Sequence, residues 1–267
     1  MVLQVLAFIL LGWLVGALIN YAADMLPRRT GLSSAPICLH CGLERPWPAW
    51  SAVLGYASRR ARCPGCGRPL ALRSVLVELV LPALFAFLWG RYGLSLQLGW
   101  LLMYTTILVL VTVIDLEHKL ILHVVSLPAI VLAVIGSFFN NDFSWRRAML
   151  GGAFGFLFVL ALFWLAPRLM GFIQHLLRRE SKEVPFGFGD VTLSTFIGLI
   201  TGFPGAVFAL LWGILLAGVG ALVFLIVKGL IFRRYSLFTA IPYGPYLAVA
   251  GWVVMVWGRE ILNWYLS

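Results

Sequence analysis

From Val2 to Ala22 the chain runs without a charged side chain. A helix needs roughly 20 apolar residues of this kind to cross a bilayer. Runs of similar character recur to the end of the sequence and predict eight spans. They lie near Val2–Ala22, Val75–Trp89, Leu96–Ile114, Val124–Phe139, Ala148–Ala166, Val191–Phe203, Gly205–Val227 and Pro242–Trp257. The balance of the chain agrees: 62% of residues are hydrophobic and 11% charged, which excludes a soluble globular domain. The fold class expected is an all-α polytopic membrane bundle of about eight transmembrane helices. Its sixth span is short. If Gly202-Phe203-Pro204-Gly205 were a kink rather than a break, seven crossings would remain.

Charge gives the orientation, because Lys and Arg in short loops mark the cytoplasmic side. The first loop carries Arg28, Arg29, Arg45, Arg59, Arg60, Arg62, Arg68 and Arg73 against the single acid Glu44. With eight crossings, Lys119, Arg168, Arg178, Arg179, Lys182, Lys228, Arg233 and Arg234 join them. Only Arg91, Arg146, Arg147 and Arg259 fall outside. Seven crossings would carry Lys228, Arg233 and Arg234 to the wrong side. The net charge of +10 therefore reports topology, and a partner among the lipids of an anionic inner leaflet; no nucleic-acid partner is implied. The first span has no basic residue before it and Arg28-Arg29 after it, the reverse of a cleavable signal peptide. A retained helix with its N-terminus outside is expected.

All four cysteines lie in that first loop, as Cys38-Leu39-His40-Cys41 and Cys63-Pro64-Gly65-Cys66. Two CxxC knuckles at this separation have zinc-ribbon-like spacing, and four thiolates complete a tetrahedral shell. Disulfides are the competing reading, against which stands a loop placed in the reducing cytosol. Four sulfur ligands leave no position for a water, so the predicted Zn²⁺ is structural. His40 is a possible substitute ligand, with an exposed role as the plainer reading. The domains expected are residues 1–26, the first transmembrane helix; 27–73, the four-cysteine zinc-binding loop; and 74–267, a helical membrane core.

Ten acids in the chain allow each to be weighed. Glu44, Glu117, Asp142, Glu180, Glu183 and Glu260 fall in loops or at ends, where solvation accounts for them. Asp24 is placed to pair with Arg28 or Arg29, and Glu78, inside the second span, to pack or form a salt bridge. Asp115 and Asp190 differ: each stands at the edge of a hydrophobic span, where an ionisable group is a functional candidate. Asp190 follows Gly187-Phe188-Gly189, whose glycines admit the close approach of another backbone, such as an extended peptide substrate. Asp190 is equally suited to capping a helix. Should the two carboxylates face each other, repulsion makes them share a proton. The ionised member then activates a water and the protonated one donates to a scissile carbonyl. His118 and His123 flank Asp115, as tuning groups or as solvated histidines.

These residues resemble the type IV prepilin peptidases, the membrane aspartyl proteases with a GxGD motif. The resemblance runs through Val15-Gly16-Ala17-Leu18-Ile19-Asn20 to Leu26-Pro27, both knuckles, and Val77-Glu78-Leu79. It continues through Ile114-Asp115-Leu116-Glu117-His118-Lys119, the box Gly187-Phe188-Gly189-Asp190, and Ile241-Pro242-Tyr243-Gly244-Pro245-Tyr246. It implies an aspartic endopeptidase of the bacterial inner membrane. Asp115 and Asp190 would be its catalytic pair at the cytoplasmic face. The substrates implied are prepilins or pseudopilins, whose basic leader is cut after a glycine. Many members also N-methylate the new N-terminus with S-adenosylmethionine.

The chain departs from the family pattern at Leu122-His123, where Pro and then Asp or Asn are usual. Thr192 replaces a lysine, Met25 an arginine, and Trp47-Pro48-Ala49-Trp50 stands in the region of an Asp-Asn-Ile-Pro stretch. Three other readings compete: a proton-coupled transporter using both acids as relays, an assembly scaffold built on the zinc loop, and a broader intramembrane protease. The first would set its acids near the midplane, not at an edge.

Overall fold

The computed structural model describes residues 2–28, 35–177, 187–232 and 242–266. Arg29, Arg178, Arg179, Glu180, Lys182, Glu183, Arg233, Arg234 and Ile241, which entered the charge count, the acid census and the family motif, lie outside the described residues. Those described are almost wholly helical: α1 (Val2–Met25), the short α2 (Ala52–Ala57), α3 (Leu72–Tyr92), α4 (Leu96–His118), α5 (His123–Ser137), α6 (Trp145–Leu177), α7 (Phe188–Thr201), α8 (Gly205–Phe232) and α9 (Gly244–Leu266). Every predicted span has its helix. Among the described residues five helices are long and apolar enough to cross a membrane, while α5 and α7 are shorter apolar helices. At Gly202 the backbone turns to φ 63°, a conformation that suits glycine. The sixth and seventh runs are consequently separate helices, not one kinked rod.

The chain forms two compact units, residues 1–110 and 111–267. In the first, α1 packs on α3 through Gly12 and Gly16. A Cβ at Gly12 would lie 2.6 Å from the Pro82 Cα, and one at Gly16 3.1 Å from the Glu78 Cα. Small residues one turn apart let two helix backbones meet where lipid supplies no hydrophobic drive. At the mouth of this pair Asp24 bonds Arg73, not the nearer Arg28. Glu78 is almost fully buried and accepts hydrogen bonds from neutral donors rather than from a cation.

The second unit is organised around α7, which is buried along nearly its whole length and packs against α5, α6, α8 and α9. Its closest partner is α6. A Cβ added to Gly198 would fall 2.2 Å from the Gly151 carbonyl oxygen, and one on Gly155 2.3 Å from that of Ser194. The helices touch backbone to backbone, which explains how an apolar helix of 14 residues is held rigidly. Beside it, the Thr192 hydroxyl bonds the Ser126 Oγ at 3.0 Å, tying α7 to α5.

Candidate active site and metal centre

Asp115 stands in the last turn of α4. Four residues on, Lys119 takes φ 51°, and its N–H donates to the Asp115 carbonyl at 2.8 Å. A left-handed lysine carries strain, and here it turns the chain sharply back towards α5. Asp115 is only 5% exposed. It accepts the backbone N–H of Gly244, the first residue of α9, at 3.0 Å on Oδ2. Gly244 leaves no alternative to glycine: a Cβ there would lie 2.6 Å from that same oxygen.

Asp190 is half-buried in the first turn of α7. It is not the capping residue itself. Gly187 holds that position, and its N–H donates to Asp190 Oδ2 at 2.9 Å. The cap contact thus exists and uses one carboxylate oxygen. The Asp115 and Asp190 carboxylates lie within electrostatic reach of each other, and Tyr243 within reach of Asp190. Helix N-termini favour negative charge nearby, and the starts of α7 and α9 supply two.

The glycines of the box behave differently. A Cβ on Gly189 would strike Ile121 Cβ at 2.6 Å, so its bare backbone accommodates the α4–α5 connection. Gly187 is exposed, and a Cβ there would meet nothing nearer than Asp190 Oδ2 at 3.8 Å. Phe188 between them sits edge-on to His123 and Phe163. His118 faces Glu117 at 3.9 Å. Gly244 is the site residue whose role sequence reasoning missed. Its Tyr-Gly-Pro setting was visible, but not its contact across 129 positions.

In the first unit the two knuckles repeat one design. Cys38 N–H bonds the Leu43 carbonyl and Gly42 N–H the Cys38 carbonyl; Cys63 with Arg68, and Gly67 with Cys63, do the same, all at 2.8–2.9 Å. Gly42 and Gly67 close the turns at φ 75° and 71°. The four sulfurs lie within 4.8 Å of one another, with Cys38–Cys66 at 3.6 Å and Cys41–Cys63 at 3.5 Å. These are not disulfides, and all four cysteines are free. Tetrahedral zinc with Zn–S of about 2.3 Å needs sulfurs about 3.8 Å apart, so the cluster could hold a metal ion of that kind. Burial opposes ionisation of Cys38, but N–H groups of His40 and Cys41 prevail and bring its thiol down to about 6. N–H groups of Cys66 and Gly65 likewise lower Cys63. Backbone donors thus favour the thiolate at Cys38 and Cys63, whereas at Cys41 the Leu43 N–H is outweighed by the Cys63 sulfur and burial, and the thiol is pushed up to about 11. His40 is exposed, and the clustered ligands are the four cysteines alone among the described residues.

A chain with a multi-helix membrane core, two acids at helix ends and a four-cysteine module is matched by known proteins over nearly all its length. The type IV leader peptidase family matches residues 102–222, and the bacterial N-terminal domain of these peptidases matches residues 10–92. A prepilin leader peptidase/N-methyltransferase of Pseudomonas aeruginosa is 31% identical over 98% of this chain and 93% of its own. Proteins of the same name from Aeromonas hydrophila and Xanthomonas campestris are 32% and 33% identical, over 86% and 80% of this chain and 74% and 69% of theirs. No solved structure matches. The chain belongs to the type IV leader peptidase family, and it is a multi-pass membrane protein.

Proposed function

We propose that the protein is a membrane aspartic endopeptidase that removes the basic leader of type IV prepilins or pseudopilins at the cytoplasmic face of the inner membrane. What supports this reading is that Asp115 at the end of α4 and Asp190 at the start of α7 lie within electrostatic reach of each other, each with one oxygen held by a backbone N–H. In this reading the two carboxylates share a proton, as facing like charges in a poorly solvated site must. The ionised member takes a proton from water as it attacks the scissile carbonyl, and the protonated member donates to the carbonyl oxygen. In the next step the proton returns to the leaving amine, and no covalent intermediate is required.

Gly187, exposed beside Asp190, is the residue at which an extended substrate backbone comes closest. Gly189 supports the site by admitting Ile121. A basic leader stays in the cytosol by the positive-inside rule, which brings its cleavage point to that membrane face. Cys38, Cys41, Cys63 and Cys66 hold Zn²⁺ with no open position, so its part is to order the loop.

The relatives' names add N-methylation, which we read as a second activity of this chain. The arginine-lined cleft of the cysteine module suits an anion better than the sulfonium of S-adenosylmethionine, and the methyl donor is not placed there. Mass spectrometry of a prepilin's N-terminus after co-expression tests both activities. The expected product starts one residue after the leader glycine and is heavier by one methyl group. An intact leader would overturn the peptidase reading; an unmodified new N-terminus would overturn only the second activity.

A further inference from the structure

Glu78 is a buried carboxylate that the proposed chemistry does not use. It is 1% exposed and receives donors from two other parts of the first unit. Trp13 Nε1 and Asn20 Nδ2 of α1 approach at 3.3 and 3.2 Å. From the cysteine loop come the Ser51 hydroxyl and the backbone N–H groups of Ala52 and Val53, the latter two at 2.7 and 3.0 Å. Breaking this set would strand several buried donors at once, so the loop segment is fixed to α3.

The level at which it is fixed matters. Glu78 lies six residues into α3, about 9 Å along the axis from Leu72. The Asp24–Arg73 pair marks the polar mouth of α1 and α3. Below it, α3 exposes an apolar stripe of Leu76, Leu79 and Val80. Residues 51–53 are therefore held alongside the beginning of the membrane-facing surface. The turn just before them, Trp47–Trp50, leaves Trp47 72% and Trp50 51% exposed. Exposed tryptophans at a polar-to-apolar transition are the pattern of an interfacial belt.

The same turn borders a shallow open cleft lined by Pro46 and Ala49 together with Arg45, Arg60, Arg62 and Arg68. Trp50 Nε1 donates to the Arg45 carbonyl at 2.9 Å, which joins the aromatic edge to the basic cleft. Glu44 is the only acid in residues 35–71. We propose that this face of the cysteine module docks on the bilayer itself. Trp47 and Trp50 lie in the headgroup region, the arginine cleft takes the phosphate of an anionic phospholipid, and Glu78 holds the module at that depth. Clustered arginines beside a membrane span attract anionic lipid, whereas the basic leader of a prepilin would be repelled.

The test uses the full-length, metal-loaded protein carrying 5-fluorotryptophan, in nanodiscs of phosphatidylcholine with or without phosphatidylglycerol. Trp47→Phe and Trp50→Phe assign the two fluorine signals. A gadolinium lipid should broaden both several times more than a soluble gadolinium chelate does. Phosphatidylglycerol should shift the Trp50 signal in the parent and not in the R60Q/R62Q variant. In Glu78→Gln the signals should become open to the chelate. Should that variant not fold, the parent alone decides. Signals broadened chiefly by the soluble chelate would show a face turned to water or to a protein partner and would overturn the proposal. Equal lipid response in parent and R60Q/R62Q would remove the arginine cleft from it.

Discussion

The Gly244 N–H donates to Asp115 Oδ2 at 3.0 Å, which fastens the start of α9 to the end of α4. Because a Cβ at Gly244 would intrude to 2.6 Å of that oxygen, Gly244→Ala must displace the carboxylate. A misplacement of this kind costs on the order of 10²-fold in rate. Cleavage kinetics should show that fall in kcat with little change in thermal stability. An unchanged kcat would mean that Gly244 does not set the position of Asp115.

The α6–α7 contact predicts a stability effect instead. Gly198→Ala places a methyl 2.2 Å from the Gly151 oxygen, and overpacking of this kind costs about 1–3 kcal/mol. Gly90→Ala is the control, since a Cβ there meets nothing within 4 Å. Thermal unfolding in detergent should separate the two variants. Equal melting temperatures would refute the close packing.

Glu78→Ala would leave Trp13 Nε1 and the backbone N–H groups of Ala52 and Val53 without their acceptor, while Asn20 Nδ2 would keep only the Ser74 carbonyl. Buried donors left unpaired cost about 1–3 kcal/mol each, so a large loss of stability is expected. Trypsin cleavage in the Arg59–Arg62 segment, followed over time, should accelerate as the loop leaves α3. Parent-like resistance would argue that other contacts hold the loop.

The cysteine module should bind zinc in the full-length protein, and Cys38→Ser or Cys63→Ser should lose it. Because the metal orders the loop, chelation should speed trypsin cleavage there. Elemental analysis finding full zinc in both variants would place the metal elsewhere.

Much of this fold was legible because a membrane helix is encoded by local composition. Each apolar run became a helix, and Gly202 with Pro204 marked the break that separates α7 from α8. Run length was a poorer guide to helix length: α6 continues to Leu177, well past the apolar stretch, because a helix does not need to stop where the membrane does. The knuckles were legible for the same local reason. Pairings across long separations were not. Nothing near Asp24 indicates Arg73 rather than Arg28, and nothing near Glu78 points to residues 51–53. At the candidate site, the two acids stood out by rarity and position. Their electrostatic proximity and the Gly244 clamp depend on how α4, α7 and α9 pack, which periodicity does not specify.

The central claim is that Asp115 and Asp190 act as one catalytic pair. Cleavage of a purified prepilin by the parent, Asp115→Asn, Asp190→Asn and the double variant, with folding checked by thermal melts, tests it most directly. General acid–base groups contribute about 10²–10⁴-fold, and each single variant should lose at least that while the double variant loses little more. A folded Asp190→Asn or Asp115→Asn protein that cuts at the parent's rate would contradict the account.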